Sequence, residues 1–143
     1  MIGRSFLDSN VLLYAYDPVE STKRLIATAL MKRLSAARRG VISTQVLGEF
    51  FSVATRRLGM PVETARGRLA HFTAQFHVIG ITPEVVLEAA RLTAKYKINF
   101  WDAQLLAVAR MQQVPLILSE DFQDGAVLNG VRILNPFRQD LVT

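Results

Sequence analysis

Short apolar runs that stop abruptly at polar residues, alternating through most of the chain with stretches of helical periodicity, constrain this chain more than any other feature. Ile2 to Leu7 is mostly apolar and ends in Asp8-Ser9-Asn10. Val41-Ile42-Ser43 is a second, β-branched segment. His77 to Ile81 and Val114 to Leu118 repeat the pattern, the latter entering Ser119-Glu120-Asp121, and Val131 to Leu134 precedes Asn135-Pro136. Runs this short read as buried strands leading into turns.

Helical signals fill the intervals. Val11 to Tyr16 makes a short helical turn, and Asp17-Pro18-Val19-Glu20 supplies N-cap, N1-proline and N3-acid signals for a helix to about Arg38 that Gly40 ends. Thr44 to Leu58 is a strongly apolar helix stopping at Gly59, with Pro61 beyond. Further helices fit Val62 to Gln75, Thr82-Pro83 to near Tyr96, and Trp101 to Gln113 behind an Asn99 cap. Strand and helix in alternation predict an α/β fold of three layers, a mainly parallel central sheet with helices on both faces. Ligands in such folds bind beyond the carboxyl ends of strands, where Asp8 and Asp121 both fall.

With 143 residues, 50% of them hydrophobic, the chain suffices for one core, and a single domain over residues 1–143 is expected. Cysteine is absent, which excludes disulfides, thiolate zinc sites and a cysteine nucleophile. No run approaches the roughly 18 apolar residues of a membrane span. The apolar start is cut by Asp8 and Asn10, unlike a signal-peptide core, so a cytoplasmic location is expected. A net charge of +5 points to anionic partners; Lys32-Arg33, Arg38-Arg39 and Arg56-Arg57 are candidates to grip phosphates, although paired cations also serve as solvated helix faces. No G-x-S-x-G elbow, Walker loop or G-x-G-x-x-G turn is present.

The acids carry the chemistry. Asp8 reads either as a helix cap or as a metal ligand on a rigid strand end. Glu49 lies beside the apolar stripe of Val46 and Val53, where an unpaired charge is unfavourable unless it reaches the surface or a partner. Asp102 follows Asn99 as in a capping box, yet heads the stripe of Leu105, Leu106 and Ala109. Glu120, Asp121 and Asp124 share one loop. Acids converging on one sheet edge repel one another without a cation. Oxygen donors alone favour a hard ion, Mg2+ with Mn2+ as the alternative, over zinc. This reading requires Asp8, Glu49 and Asp102 to gather closely enough to share an ion. His71 and His77 read as surface or packing residues.

Leu7-Asp8-Ser9-Asn10-Val11-Leu12-Leu13-Tyr14 resembles the opening motif of PIN domains, especially VapC-type bacterial toxins. Ser43 with Gly48-Glu49-Phe50 is similar to the family's second motif, Phe100-Trp101-Asp102-Ala103 with Leu105 and Leu106 to the third, and Leu118-Ser119-Glu120-Asp121-Phe122 to the fourth. The resemblance implies a Mg2+-dependent endoribonuclease acting on RNA, the toxin of a toxin–antitoxin pair, with a neutralising antitoxin protein as partner and a homodimer as the usual assembly. By this analogy Asp8, Glu49, Asp102 and Asp121 are the catalytic, metal-binding acids, and Ser9, Asn10 and Ser119 support them. Many relatives carry a further acid where this chain has Gln123, which leaves Glu120 and Asp124 as additional candidate ligands and a non-catalytic RNA-binding or partner-binding module as the alternative function. A haloacid-dehalogenase-type phosphatase fits poorly, since its second acid would be Asn10.

Overall fold

The protein is represented by a computed structural model that describes residues 2–138. In chain order it comprises β1 (Ser5–Leu7), α1 (Ser9–Tyr14), α2 (Ser21–Ala37), β2 (Gly40–Ser43), α3 (Thr44–Arg56), α4 (Val62–Gln75), β3 (His77–Ile79), α5 (Pro83–Tyr96), α6 (Phe100–Met111), β4 (Leu116–Leu118), β5 (Val127–Leu128) and β6 (Val131–Leu134). The strands form one sheet of order β3-β2-β1-β4-β6-β5, parallel except where β5 pairs antiparallel with β6. The expected α/β architecture with a mainly parallel sheet is thus present.

The chain builds outward from β1 through β2 to β3, then returns to add β4 on the other side of β1. Right-handed crossovers in opposite directions put the two groups of helices on opposite faces. Their packing agrees, with α1 against α2 and α3, α3 against α4, and α5 paired with α6. The reversal between β1 and β4 opens a crevice at their carboxyl ends, the place where doubly wound sheets bind ligands.

Most boundaries follow from caps that the sequence displays. Ser43, Thr82 and Asn99 each accept a hydrogen bond from a first-turn N–H of α3, α5 and α6. Three expectations need correction. Asp17 does not cap α2: its carboxylate accepts from the N–H groups of Val19 and Glu20 in a local turn, and the helix starts four residues later than Asp17, at Ser21. Gly40 does not end that helix, because Arg38 closes it in the left-handed conformation at φ 56°. Gly40 opens β2 instead, where a Cβ would come within 2.4 Å of the Phe76 ring. The β5–β6 hairpin was not expected, although its turn residues Asn129 and Gly130, with φ of 52° and 74°, are a type I′ signal.

The core joins Phe6, Leu7, Ile42 and Ile117 of the sheet to Leu30 and Leu34 of α2, Phe50 of α3, Phe72 of α4, Leu92 of α5 and Leu106 of α6, all at most 1% exposed. Among the described residues no helix is long and apolar enough to cross a membrane.

Candidate active site

Asp8 follows β1 directly and is 3% exposed. Its Oδ1 accepts from the Ser9 N–H at 2.7 Å and its Oδ2 from the Ser119 hydroxyl, also at 2.7 Å. Asn10 Nδ2 donates to the Ser119 Oγ at 3.2 Å and reaches Asp8 Oδ2 at 3.4 Å. The Asp121 N–H donates to the same Oγ at 3.1 Å. Ser119, fully buried at the end of β4, therefore ties the loop that carries Asp121 to the carboxylate that follows β1. Asp8 caps α1 through one carboxylate oxygen, as the first of its sequence readings has it, while the other oxygen faces Ser119.

Glu49 stands in the second turn of α3, half-buried, and accepts from Gln45 Nε2 one turn earlier at 3.4 Å. Gln45 in turn accepts from the buried Gln104 of α6 at 2.6 Å, which couples the two helices beneath the site. Asp102 in the first turn of α6 is also half-buried, its Oδ2 accepting from Asn99 Nδ2 at 2.8 Å. Neither glutamine was singled out from the sequence. Gln104 was nonetheless visible as the one polar residue in the run 103–109, and Gln45 as a helical i,i+4 neighbour of Glu49.

Burial raises the carboxyl pKa of Asp8 from 3.8 to about 7; the Ser119 and Ser9 hydrogen bonds oppose this, while the charges of Asp121 and Glu49 add to it. Glu49 is also raised, first by burial and then by Asp102 and Asp121, and Asp102 by burial and Asp121. Asp8, Glu49, Asp102 and Asp121 thus act on one another, although they arrive from four separate segments. The expected tight cage is absent: among the described residues no three His, Asp or Glu side chains stand close enough to hold one ion.

The other candidates are placed differently. Glu120 accepts from the Tyr14 hydroxyl and pairs with Lys23 at 2.9 Å, an interaction that strengthens the basicity of Lys23. Asp124 accepts from the Asn135 N–H at 2.7 Å, anchoring its loop to the end of β6. The side chain of Gln123 is exposed. Arg38 and Arg39 immediately precede β2, whose Gly40 pairs with Ser5, so Arg39 lies about 13 Å from Asp8 along the strands, at their opposite end, and Arg38 lies beyond it. They do not surround the acids. Lys32 and Arg33 are exposed on the half of α2 that leads to that same end. Arg56 is exposed on the Glu49 face of α3, two turns or about 10 Å further along, and Arg57 is its C-cap. Lys23, which the sequence reading left out of the site, reaches the Ser119–Asp121 loop.

A residue pattern of this kind is shared. Residues 5–123 match the sequence model of the PIN domain. The chain belongs to the PIN domain family. Among solved structures this PIN domain is similar to the sarcin–ricin-loop-cleaving toxin VapC20 of Mycobacterium tuberculosis, with 23% identity and a TM-score of 0.67 over 90% of this chain and 98% of that one. A toxin–antitoxin complex from Klebsiella pneumoniae matches at 21% identity and 0.64, over 92% and 97% of the two chains. VapBC2 from Rickettsia felis, bound to a DNA fragment from its promoter, matches at 15% and 0.64, over 90% and 96%. At these identities the likeness is one of fold. A search of curated proteins finds no match.

The acids of this PIN domain suit a hard divalent cation. Every donor around the cluster is an oxygen, and the Oδ1 of Asn10, beside Asp8 and Ser119, is buried without a hydrogen-bond partner. Mg2+ characteristically takes one or two carboxylates and keeps several waters, so it does not require three carboxylates in direct contact.

Proposed function

We propose that the protein is a divalent-metal-dependent endoribonuclease that hydrolyses RNA phosphodiester bonds and serves as the toxin of a toxin–antitoxin pair. The observation that carries this reading is the convergence of Asp8, Glu49, Asp102 and Asp121 at the β1–β4 crevice, where burial and mutual repulsion hold three of them above their usual pKa. That charge stress is what a cation relieves. Membership of the PIN domain family, and a fold shared with a structurally characterised RNA-cleaving toxin and with toxin–antitoxin complexes, support the assignment.

Asp8, Glu49, Asp102 and Asp121 would hold Mg2+ or Mn2+, which when bound lowers the pKa of water and stabilises charge on the phosphate oxygens. Ser119, with Ser9 and Asn10, fixes the Asp8 carboxylate and keeps Asp121 beside it. Gln104 holds Gln45, whose amide nitrogen reaches Glu49 at 3.4 Å. Exposed Arg56, on the Glu49 face of its helix, is placed to meet a flanking phosphate of a bound strand. The 143 residues act as one PIN-like domain in the cytoplasm, with a cognate antitoxin and a homodimeric assembly as partners. For such an interface α2 offers Leu25, 70% exposed, whereas Leu30 of the same helix belongs to the core.

Purified protein is expected to cleave single-stranded RNA with millimolar Mg2+ and to stop when a chelator is added. RNA binding with no metal-dependent cleavage would instead support the non-catalytic module that Gln123 suggests. Replacing Ser119 by alanine removes the hydroxyl shared by Asp8, Asn10 and Asp121, and should raise the Mg2+ concentration for half-maximal activity about 10- to 100-fold. A Mg2+ titration of the cleavage rate reads this directly; an unchanged midpoint would show that Ser119 does not support the metal site.

A further inference from the structure

Beside the acids, the first turns of α3 and α6 leave an open groove of about 520 Å³. That is within the roughly 300–1,000 Å³ of small-ligand clefts. Its lining includes Trp101, Ile81, Gly48 and the two glutamines, and Glu49 joins it to the acid cluster. Trp101 precedes Asp102, is the chain's only tryptophan and is 59% exposed. Phe100 braces it edge to face, with ring centroids 5.0 Å apart.

Two further features separate this groove from an ordinary surface crease. Gly48 sits in the interior of α3, where glycine is less favourable than alanine, yet a Cβ there would meet no protein atom within 4 Å. Packing does not demand that glycine; its effect is to leave the groove wall bare. The Gln45 Nε2, meanwhile, makes only long contacts, 3.4 Å to Glu49 and 3.3 Å to the Trp101 carbonyl, while its Oε1 is held by Gln104 at 2.6 Å, so the amide offers a weakly engaged N–H to an incoming acceptor.

We propose that this groove binds one unpaired nucleobase of the RNA next to the scissile phosphate, stacked on Trp101, with its edge met by Gln45. The inference rests on the ribonuclease reading and narrows its substrate to strands with a base free to leave the helix. A flat aromatic ligand carrying polar edges and tethered to a phosphate matches an indole, an amide and an adjoining metal-binding centre. A purely apolar partner surface would bury the carboxylate of Glu49 unpaired.

The sole tryptophan makes the test direct. Single-stranded RNA of about a dozen nucleotides is titrated into the wild-type protein in EDTA, with Trp101 emission and RNA anisotropy followed together, and the same strand in a duplex as control. Saturable quenching by the single strand and not by the duplex is expected. Trp101→Ala should weaken binding about 5- to 150-fold, and Trp101→Phe should recover most of that loss. Gly48→Leu, which favours the helix while filling the groove, should weaken binding to a similar degree with a melting temperature no lower than that of the wild type. In cleavage assays with Mg2+ both losses should fall on KM more than on kcat.

RNA that binds by anisotropy with unaltered emission, equal quenching by duplex, or wild-type KM for Trp101→Ala and Gly48→Leu would each overturn the base subsite while leaving the nuclease intact. Emission that shifts with protein concentration alone, together with a doubled mass, would assign Trp101 to a contact between copies of the chain. A protein that neither binds nor cleaves RNA would remove the ribonuclease reading and the subsite together.

Discussion

Asp8→Asn protein is expected to lose metal-dependent RNA cleavage by about three orders of magnitude while becoming more stable in the absence of metal at pH 8. Both effects come from one buried carboxyl whose pKa is raised from 3.8 to about 7, chiefly by desolvation. A raised pKa means that the fold favours the neutral acid. The contribution to stability is therefore complete below pH 3.8 and is lost as pH rises through about 7. Above that, ionised Asp8 weakens the fold by up to about 4 kcal/mol. Asparagine keeps the shape and never ionises. It also disturbs the Ser119 hydrogen bond, worth about 1–2 kcal/mol, so a net gain of about 2 kcal/mol at pH 8 remains, roughly 5–10 °C in Tm. At pH 4 the variant should be no more stable than wild type. Millimolar Mg2+ should raise the Tm of the wild type and leave that of Asp8→Asn unchanged. Thermal melts at the two pH values, with and without Mg2+, check each part. Wild-type cleavage by Asp8→Asn would overturn the catalytic assignment, and an advantage independent of pH would place its origin outside the ionisation of Asp8.

Phe50→Ala should be among the most destabilising single changes, at about 3–5 kcal/mol or roughly 10–20 °C in Tm. Phe50 is fully buried beside Glu49 on α3 and stands perpendicular to the Phe72 ring, with centroids 4.8 Å apart. The Tyr16 ring meets its other side at 5.8 Å. Truncation leaves a void among α1, α3 and α4, and these aromatic rings hold α3 in the position from which Glu49 reaches the site. Urea unfolding with an unchanged m-value measures the loss; a midpoint shift worth less than about 1 kcal/mol would mean that the neighbouring rings close the gap. At permissive temperature the surviving activity should require more Mg2+, because Glu49 is then less firmly placed.

Periodicity and caps act over three or four residues, which is why so much local structure was legible. Helix α4 matches its expected span, Val62–Gln75, and Thr82-Pro83 and Asn99 open their helices as anticipated. Where signals competed, sequence reasoning slipped. Asp17 and Pro18 carry the marks of a helix start, yet the aspartate bonds to its nearest backbone neighbours and delays α2 to Ser21. Strand ends were read early or late because short runs have no cap to mark them; β1 begins at Ser5 and β3 stops at Ile79.

The order of residues alone carries the alternation of strand and helix, the parallel sheet that follows from it, and a set of acids at strand ends and beside helix stripes. How those acids divide emerges from the folded chain. Glu120 turns to Lys23 and Tyr14, Asp124 holds the backbone of Asn135, and Ser119 bridges to Asp8 across 111 residues of chain. The fold also sends Arg38 and Arg39 to the far end of the strands and sets Trp101 beside the acids. The difference is one of range. Propensities and caps are settled among near neighbours, whereas a carboxylate's partner depends on strand order and register, which exist only once the β1–β4 pairing has closed.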